Sequence, residues 1–371
     1  MIRVLHYVGK MDRGGMETLI MNLYRNIDRT EIQFDFAVHG NRNGDFEQEI
    51  LEMGGKFFQF PHMRKNPVAY RKAWRSFWRE HKEEYRAFHM HTNSLANIIA
   101  LEEAARAEIP IRIVHSHSSF ANKGKLQWLN NYLHKKHRKR VAEIATNLIA
   151  CSDKAAEWMF GGMQLGSKKV TLLNNGVDIQ KFSYSSESRK KIRAELNVPE
   201  DTLLLGQIGA FLPVKNHEFT IQLINALKDR KKNVCLLLIG DGPLKFEIKK
   251  KCQESMLSDV VKFLGKRSDI NEILSALDIY IMPSLYEGLP VSLVEAQVNG
   301  VASIISNRIT HDVEFNDNIS YLSIDEGVKP WVDSILSLET NHKADLHKII
   351  EHGFDIVDSC AQYRKLLNYR G

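Results

Sequence analysis

Strand-like and helix-like segments alternate along this chain in two separate runs, and that rhythm constrains the fold more than any other feature. Short apolar runs at 2–8, 32–38, 56–60, 88–91, 111–115 and 146–150 are mostly separated by stretches of helical periodicity. The pattern restarts at 203–209 and continues through 234–239, 261–264, 279–282 and 302–305. Alternation of this kind predicts parallel sheets flanked by helices, and two runs predict an α/β protein of two doubly wound, Rossmann-like domains. The join falls near Asn174-Asn175-Gly176-Val177-Asp178, whose Asn-Gly pair is a turn signal. Ligands of doubly wound sheets bind beyond the carboxyl ends of the strands. The expected site is therefore a central cleft that the two domains face.

Bulk properties narrow the class. A length of 371 residues suits two domains, and 43% hydrophobic with 26% charged residues fits a folded globular chain rather than a disordered one. No apolar run reaches membrane-spanning length, and the chain opens on a strand pattern rather than a secretory leader. The four cysteines, Cys151, Cys235, Cys252 and Cys360, have no metal-like spacing. They read as reduced thiols of a cytoplasmic protein. Residues 1–176 hold 27 Lys+Arg and 18 Asp+Glu, a balance of +9; the rest hold 24 and 27, or −3, which together give the net +6. The first half is thus the half that would face an anionic surface.

The chemistry sits at the ends of the expected strands. Glu287 and Glu295 lie in Ser284-Leu-Tyr-Glu287-Gly288-Leu289-Pro290-Val291, continuing Ser292-Leu-Val-Glu295, directly after a buried strand pattern. Pro290 suits the first turn of a helix, and Val291, Val294 and Val298 recur at helical spacing. Glu287 is then a loop residue, Glu295 is one turn into the helix, and the amides between them can meet an anion. Amides for a phosphate and carboxylates for hydroxyls suit a sugar nucleotide. Gly14 and Gly15 follow the first strand, where paired glycines allow close approach of a ligand, although turn glycines are common there. Gly209 and Lys215 follow the first strand of the second half; Lys215 is expected to open a helix, with its ammonium in reach of a diphosphate. Gly240, Gly242 and Gly265 end two further strands. Histidines come in two pairs, His89/His91 and His115/His117. In an extended strand only one of each pair is expected to point at the ligand.

Taken together, these residues resemble the retaining glycosyltransferases of family 4, which have the GT-B fold. The resemblance covers nearly the whole chain. It rests on Gly14-Gly15-Met16-Glu17, the segment through His117, Asn175-Gly-Val-Asp178, Lys215-Asn-His217, Gly240-Asp-Gly242 and, most specifically, the Glu287/Glu295 pair. The context is similar to enzymes of bacterial exopolysaccharide and capsule assembly, the EpsF-like group among them. The resemblance implies a role for each position. Glu295 holds the ribose hydroxyls, and Glu287 contacts the donor sugar. Amides of Gly288, Leu289 and Val291 line the sugar and phosphates. Lys215 neutralises the diphosphate, Gly15 approaches it from the first domain, and His117 stands by the reacting sugar, with His115 as the alternative. Gly14, Gly209 and Gly265 belong to the same binding loops. The implied reaction is transfer from a nucleotide sugar, UDP-sugar being preferred, to a glycan or lipid-linked acceptor, with retention and without a cofactor or metal.

One departure stands out: an arginine commonly follows the glycine matching Gly209, and here the residue is Ala210. Removing one stabiliser of developing charge can cost about 100- to 1000-fold in rate. Two competing readings remain at this point, a GT-B-type UDP-sugar 2-epimerase and a catalytically weak sugar-nucleotide-binding partner of an assembly complex. The domains are expected at 1–176, joined by a returning C-terminal helix at about 354–371, and at 177–353. Two basic, aromatic-bearing segments, 64–79 and 123–140, could be interfacial helices on an anionic membrane. No nucleic-acid recognition motif accompanies the charge.

Overall fold

The computed structural model describes residues 1–40, 44–117, 127–230 and 233–367, and the chain divides into two compact units. Unit 1 is Met1–Gly176 with Ile356–Gly371; unit 2 is Val177–Asp355.

Unit 1 is built on strands β1 (Ile2–Tyr7), β2 (Ile32–His39), β3 (Phe57–Phe60), β4 (Ala87–Thr92), β5 (Ile111–Ser116), β6 (Asn147–Ala150), β7 (Gln164–Leu165) and β8 (Lys168–Leu172). Their order is β3-β2-β1-β4-β5-β6-β8-β7, parallel except for the β7/β8 pair. Side chains alternate between the faces of such a sheet. Leu5, Phe88, Met90 and Val114 point into a core with Tyr70, Trp74, Phe77 and Trp78 of the helix Pro67–His81. Val4, Phe34, Phe36 and Ile113 point the other way, under the helices Gly15–Asn26 and Ile356–Leu367. Buried Asp35 ties the edge of this sheet together. It accepts hydrogen bonds from Arg3 Nε (2.9 Å) and Nη2 (2.7 Å), Tyr85 Oη (2.7 Å) and the Lys56 amide (2.8 Å).

Unit 2 has strands β9 (Leu203–Ile208), β10 (Val234–Ile239), β11 (Val261–Gly265), β12 (Ile279–Met282), β13 (Ala302–Ser306) and β14 (Ile319–Leu322), all parallel, in the order β11-β10-β9-β12-β13-β14. β9 sits centrally, with the order reversing beside it. This places a topological switch point at its carboxyl end. Asp278, just before β12, receives Arg189 Nη2 (2.8 Å), Arg193 Nη2 (3.4 Å) and the Leu204 amide (2.7 Å).

Several expectations change. β7, β8 and β14 were not anticipated; β7 and β14 are short edge strands and β8 is next to the edge, and their alternating polar residues carry little apolar signal. Pro290 is the N-cap of the helix Val291–Asn299 rather than part of its first turn. Lys215 does not open a helix: it ends a 3-10 turn, Pro213–Lys215, and Asn216 (φ 53°) separates it from the helix starting at His217. Lys123 to Leu126, Ser118 and Tyr369 lie outside the described residues.

Asp278→Ala removes the carboxylate from Arg193, whose side chain is 2% exposed. It should lower unfolding free energy by about 3 kcal/mol, measured by urea titration, because a buried charge loses its partner.

Candidate functional site

In unit 2 the loops at the carboxyl ends of β9, β10 and β11 are zipped together by backbone hydrogen bonds. The Gly209 amide donates to Ile239 (2.9 Å), Phe211 to Asp241 (3.0 Å) and Gly240 to Gly265 (2.8 Å). The glycines follow from this closeness. A Cβ on Gly240 would stand 2.0 Å from the Gly209 carbonyl oxygen, and one on Gly242 2.7 Å from the Phe211 amide. Gly265 adopts φ 67°, a left-handed conformation that glycine takes without strain. At Gly209 a Cβ would lie 3.0 Å from Lys215 Cε, so the bare backbone gives the lysine stem its resting surface.

Lys215 is fixed from three sides. Its carbonyl accepts from Gln207 Nε2 (2.7 Å), and Gln207 is held in turn by Thr220 Oγ1 (2.7 Å). Asn216 Nδ2 donates to the Pro283 carbonyl (3.2 Å), and the Leu285 amide to Val214 (2.8 Å). These last bonds clamp the lysine turn against the loop after β12. The result is an ion pair between Lys215 Nζ and Glu287 Oε1 at 2.6 Å, with both side chains mostly buried.

Gly288 and Leu289 continue that loop, half-buried, and Val291 is the first residue of the helix Val291–Asn299. No side chain caps this N-terminus, so its partial positive charge is open to an anion. Glu295 lies one turn in and is buried. Burial pushes its carboxyl up to about 8, partly offset by Lys181. Tyr280 of β12 bonds Ser292 Oγ (2.9 Å), and the negative charge of Glu287 and Glu295 adds to burial in raising its phenol. Ala210 stands where the resemblance expects an arginine. Lys245 is a second cation on this rim, 3.4 Å from Asp241 and facing Gly265.

In unit 1 the helix Gly15–Asn26 begins directly at the glycine pair. The Glu17 carboxyl folds back over Gly14, where a Cβ would meet it at 2.5 Å. Burial raises Glu17 to about 7; its own amide opposes the rise and Asp12 adds to it. A Cβ on Gly15 would meet nothing within 4 Å. Internal packing therefore does not explain Gly15, and at Gly14 a Cβ would displace only the far end of the flexible Glu17 side chain.

The histidines form one layer. His6, His89, His91 and His115 are buried on the sheet face under the helices Gly15–Asn26 and Ile356–Leu367, and His117 is half-buried just past β5. Both members of each pair lie on the same face, contrary to the sequence expectation, because residues two apart in a strand project alike. Ring centroids are 3.9 Å apart for His89/His91 and 4.0 Å for His115/His117. His115 is fully enclosed, which leaves His117 as the accessible member. Sequence reasoning missed His6 and Tyr363, which complete the layer; His6 was legible as a histidine near the end of the first strand. Burial drives all five imidazoles toward the neutral form, His6 and His117 to about 3.

The comparisons with known proteins agree with one another. Residues 13–181 match the profile Glycosyltransferase Family 4, and residues 188–354 match Glycosyl transferases group 1. EpsF of Bacillus subtilis (strain 168), named as a candidate glycosyltransferase, is 38% identical over 90% of this chain and 86% of its own. The Escherichia coli UDP-Gal:alpha-D-GlcNAc-diphosphoundecaprenol alpha-1,3-galactosyltransferase is 27% identical over 74% of this chain and 73% of its own. The fold matches the crystal structure of Anabaena HepE in complex with UDP, with a TM-score of 0.77, 18% identity and 99% of both chains covered. Sequence and fold together identify the chain as a family 4 glycosyltransferase, a retaining nucleotide-sugar enzyme of the GT-B fold.

Proposed function

We propose that the chain transfers a sugar from a UDP-sugar to a lipid-linked glycan in exopolysaccharide or capsule assembly. The observation that carries the donor side is the Lys215–Glu287 pair, clamped at the switch point beside the uncapped helix N-terminus. A diphosphate brought there competes with Glu287 for the ammonium and meets the helix amides. Glu287 is then released toward the sugar hydroxyls, and Glu295 accepts from the ribose. Gly209, Gly265, Gly288, Leu289 and Val291 supply the backbone around the nucleotide. As the anomeric C–O bond breaks, negative charge grows on the departing diphosphate, and Lys215 with the helix N-terminus stabilises it. The acceptor hydroxyl attacks from the same side, and its proton passes to the leaving phosphate oxygen. The family assignment favours transfer over epimerisation. The choice of UDP draws on HepE, crystallised with UDP, and that of a lipid-linked acceptor on the diphosphoundecaprenol-named relative.

The membrane reading now rests on one segment. Tyr70, Trp74, Phe77 and Trp78 of the 64–79 region are core residues, and Arg71 and Arg75 pair with Glu102 and Glu103, so this region does not offer aromatics to lipid. On the helix Gln127–Ile144, however, Trp128 and Tyr132 are 70% and 59% exposed, with Lys135, Lys136 and Lys139 exposed beyond them at helical spacing. Among the described residues, no helix is long and apolar enough to cross a membrane. This stripe is the proposed contact with an anionic membrane surface.

Three outcomes test the reading. Lys215→Ala should lower kcat with UDP-sugars by about 100-fold or more, and Glu295→Ala should raise the donor KM; unchanged constants in both variants reject the assignment. Glu295 holds a proton up to about pH 8 in the fold but only to about 4.5 when unfolded, so its contribution to stability falls as pH rises through that window. Accepting ribose hydroxyls favours the ionised form. UDP binding near pH 7 should therefore release a proton, seen as a buffer-dependent calorimetric enthalpy that Glu295→Gln abolishes. Finally, replacing Lys135, Lys136 and Lys139 by Glu should abolish co-sedimentation with anionic vesicles, each cation contributing about 1 kcal/mol; equal sedimentation with neutral vesicles removes the idea.

A further inference from the structure

The parallel register of β1 and β4 sets His6 beside His89, and His91 projects from the same face two residues on. All three rings are enclosed in the core of unit 1. Each offers one ring nitrogen, and the three nitrogens lie within 4.8 Å of one another. Burial keeps these imidazoles neutral, and the neutral ring is the one whose lone pair binds a metal ion.

A second trio, His91, His115 and His117, is equally close. The hydrogen bonds around the rings separate the two. A ligating imidazole gives one nitrogen to the ion and turns the N–H of the other outward, where an acceptor fixes the ring's orientation. In the first trio every ring has such an acceptor. His89 Nδ1 lies 3.0 Å from Tyr363 Oη, His6 Nε2 lies 3.5 Å from the same oxygen, and His91 Nδ1 lies 2.8 Å from His117 Nε2. That leaves His6 Nδ1, His89 Nε2 and His91 Nε2 for the ion. His89 Nε2 is buried without a hydrogen-bond partner, and His6 Nδ1 already faces His91 Nε2 at 2.9 Å. Two ligands of a tetrahedral zinc stand about 3.3 Å apart, so the facing pair needs to open by only a few tenths of an ångström. In the second trio both nitrogens of His115 and the Nδ1 of His117 lack partners. There only His91 would be held in orientation.

The ligand chemistry selects the ion. Magnesium and calcium take oxygen ligands, whereas imidazoles suit zinc and its neighbours in the transition series. Three imidazoles leave a fourth position on the ion, which water fills in sites with this ligand set.

We propose that His6, His89 and His91 form a metal site in the core of unit 1 that holds one zinc-type divalent ion, with Tyr363 and His117 orienting the ligands. The ion joins β1 to β4 and, through Tyr363, ties both to the helix Ile356–Leu367. Its role is structural, and unit 1 alone supplies its ligands. Because those ligands are enclosed, the ion enters while unit 1 is still open.

The test uses the full chain without a histidine tag, expressed with added zinc and purified without chelator. Metal analysis should find one zinc per chain, and X-ray absorption at the zinc edge should show imidazole nitrogens at about 2.0–2.1 Å. Expression with cobalt instead should give the visible bands of a tetrahedral site. His89→Leu should lose the ion, while His115→Leu should keep it. Tyr363→Phe keeps all three ligands and should weaken zinc about 10- to 100-fold in competition with a chromophoric chelator. A wild-type chain free of zinc and cobalt after these preparations overturns the proposal. So does an ion retained by His89→Leu, and one lost from His115→Leu but kept by His89→Leu assigns the metal to the other trio. Unchanged affinity in Tyr363→Phe refutes the orienting role of Tyr363, and this variant remains informative if His89→Leu fails to fold.

Discussion

The near-contact of two backbones, Gly240 against the carbonyl of Gly209, underlies the donor-binding face of unit 2. It lets the loops after β9 and β10 lie flat on each other, and the bonds from Gly209, Phe211 and Gly240 follow from it. The lysine stem rests on the same glycine, and the turn that carries it is tied to the loop after β12. Any side chain at Gly240 would part these layers and move the ammonium away from Glu287. The geometry of a charge pair is thus set by the absence of side chains several residues away.

Burial sets the protonation of the two units in complementary ways. In unit 2 it keeps a proton on Glu295 near neutral pH, so the carboxyl can ionise when hydroxyls are offered to it. In unit 1 it strips charge from five imidazoles, which would repel one another if protonated in so small a space. Neutral rings stack and share protons; charged ones would force the sheet and its covering helices apart.

Much of this was legible in the sequence because it depends on local pattern. The strands β10 and β12 are continuous apolar runs, as expected for strands covered on both faces, and the glycines after β9 and β10 announce loops. Glu287 and Glu295 could be placed from a proline and three valines. What escaped depends on pairing at a distance. Lys215 meets Glu287 across 72 positions, and neither residue's neighbours predict the bond. The peripheral strands β7, β8 and β14 exist through their partners rather than through their own hydrophobicity. Tyr70 and Trp74 looked somewhat better suited to lipid than to a core, since amphipathic periodicity does not say what lies opposite, and both are buried. The histidine layer needed the registers of β1, β4 and β5, which bring His6 beside His89 and His91 beside His115.

The chain leaves unit 1 after Gly176 and re-enters it at Ile356, where Ile356, Cys360, Tyr363 and Leu367 fill the core over β1 and β2. Unit 2 is an uninterrupted stretch and can close as soon as it leaves the ribosome. Unit 1, although it precedes unit 2 in the chain, must wait with part of one sheet face covered only by the helix Gly15–Asn26 until the helix Ile356–Leu367 arrives. Unit 1 is therefore the later of the two to reach its native packing, and the stretch of sheet that Ile356–Leu367 covers is the surface most open to chaperones or to misassembly during that delay.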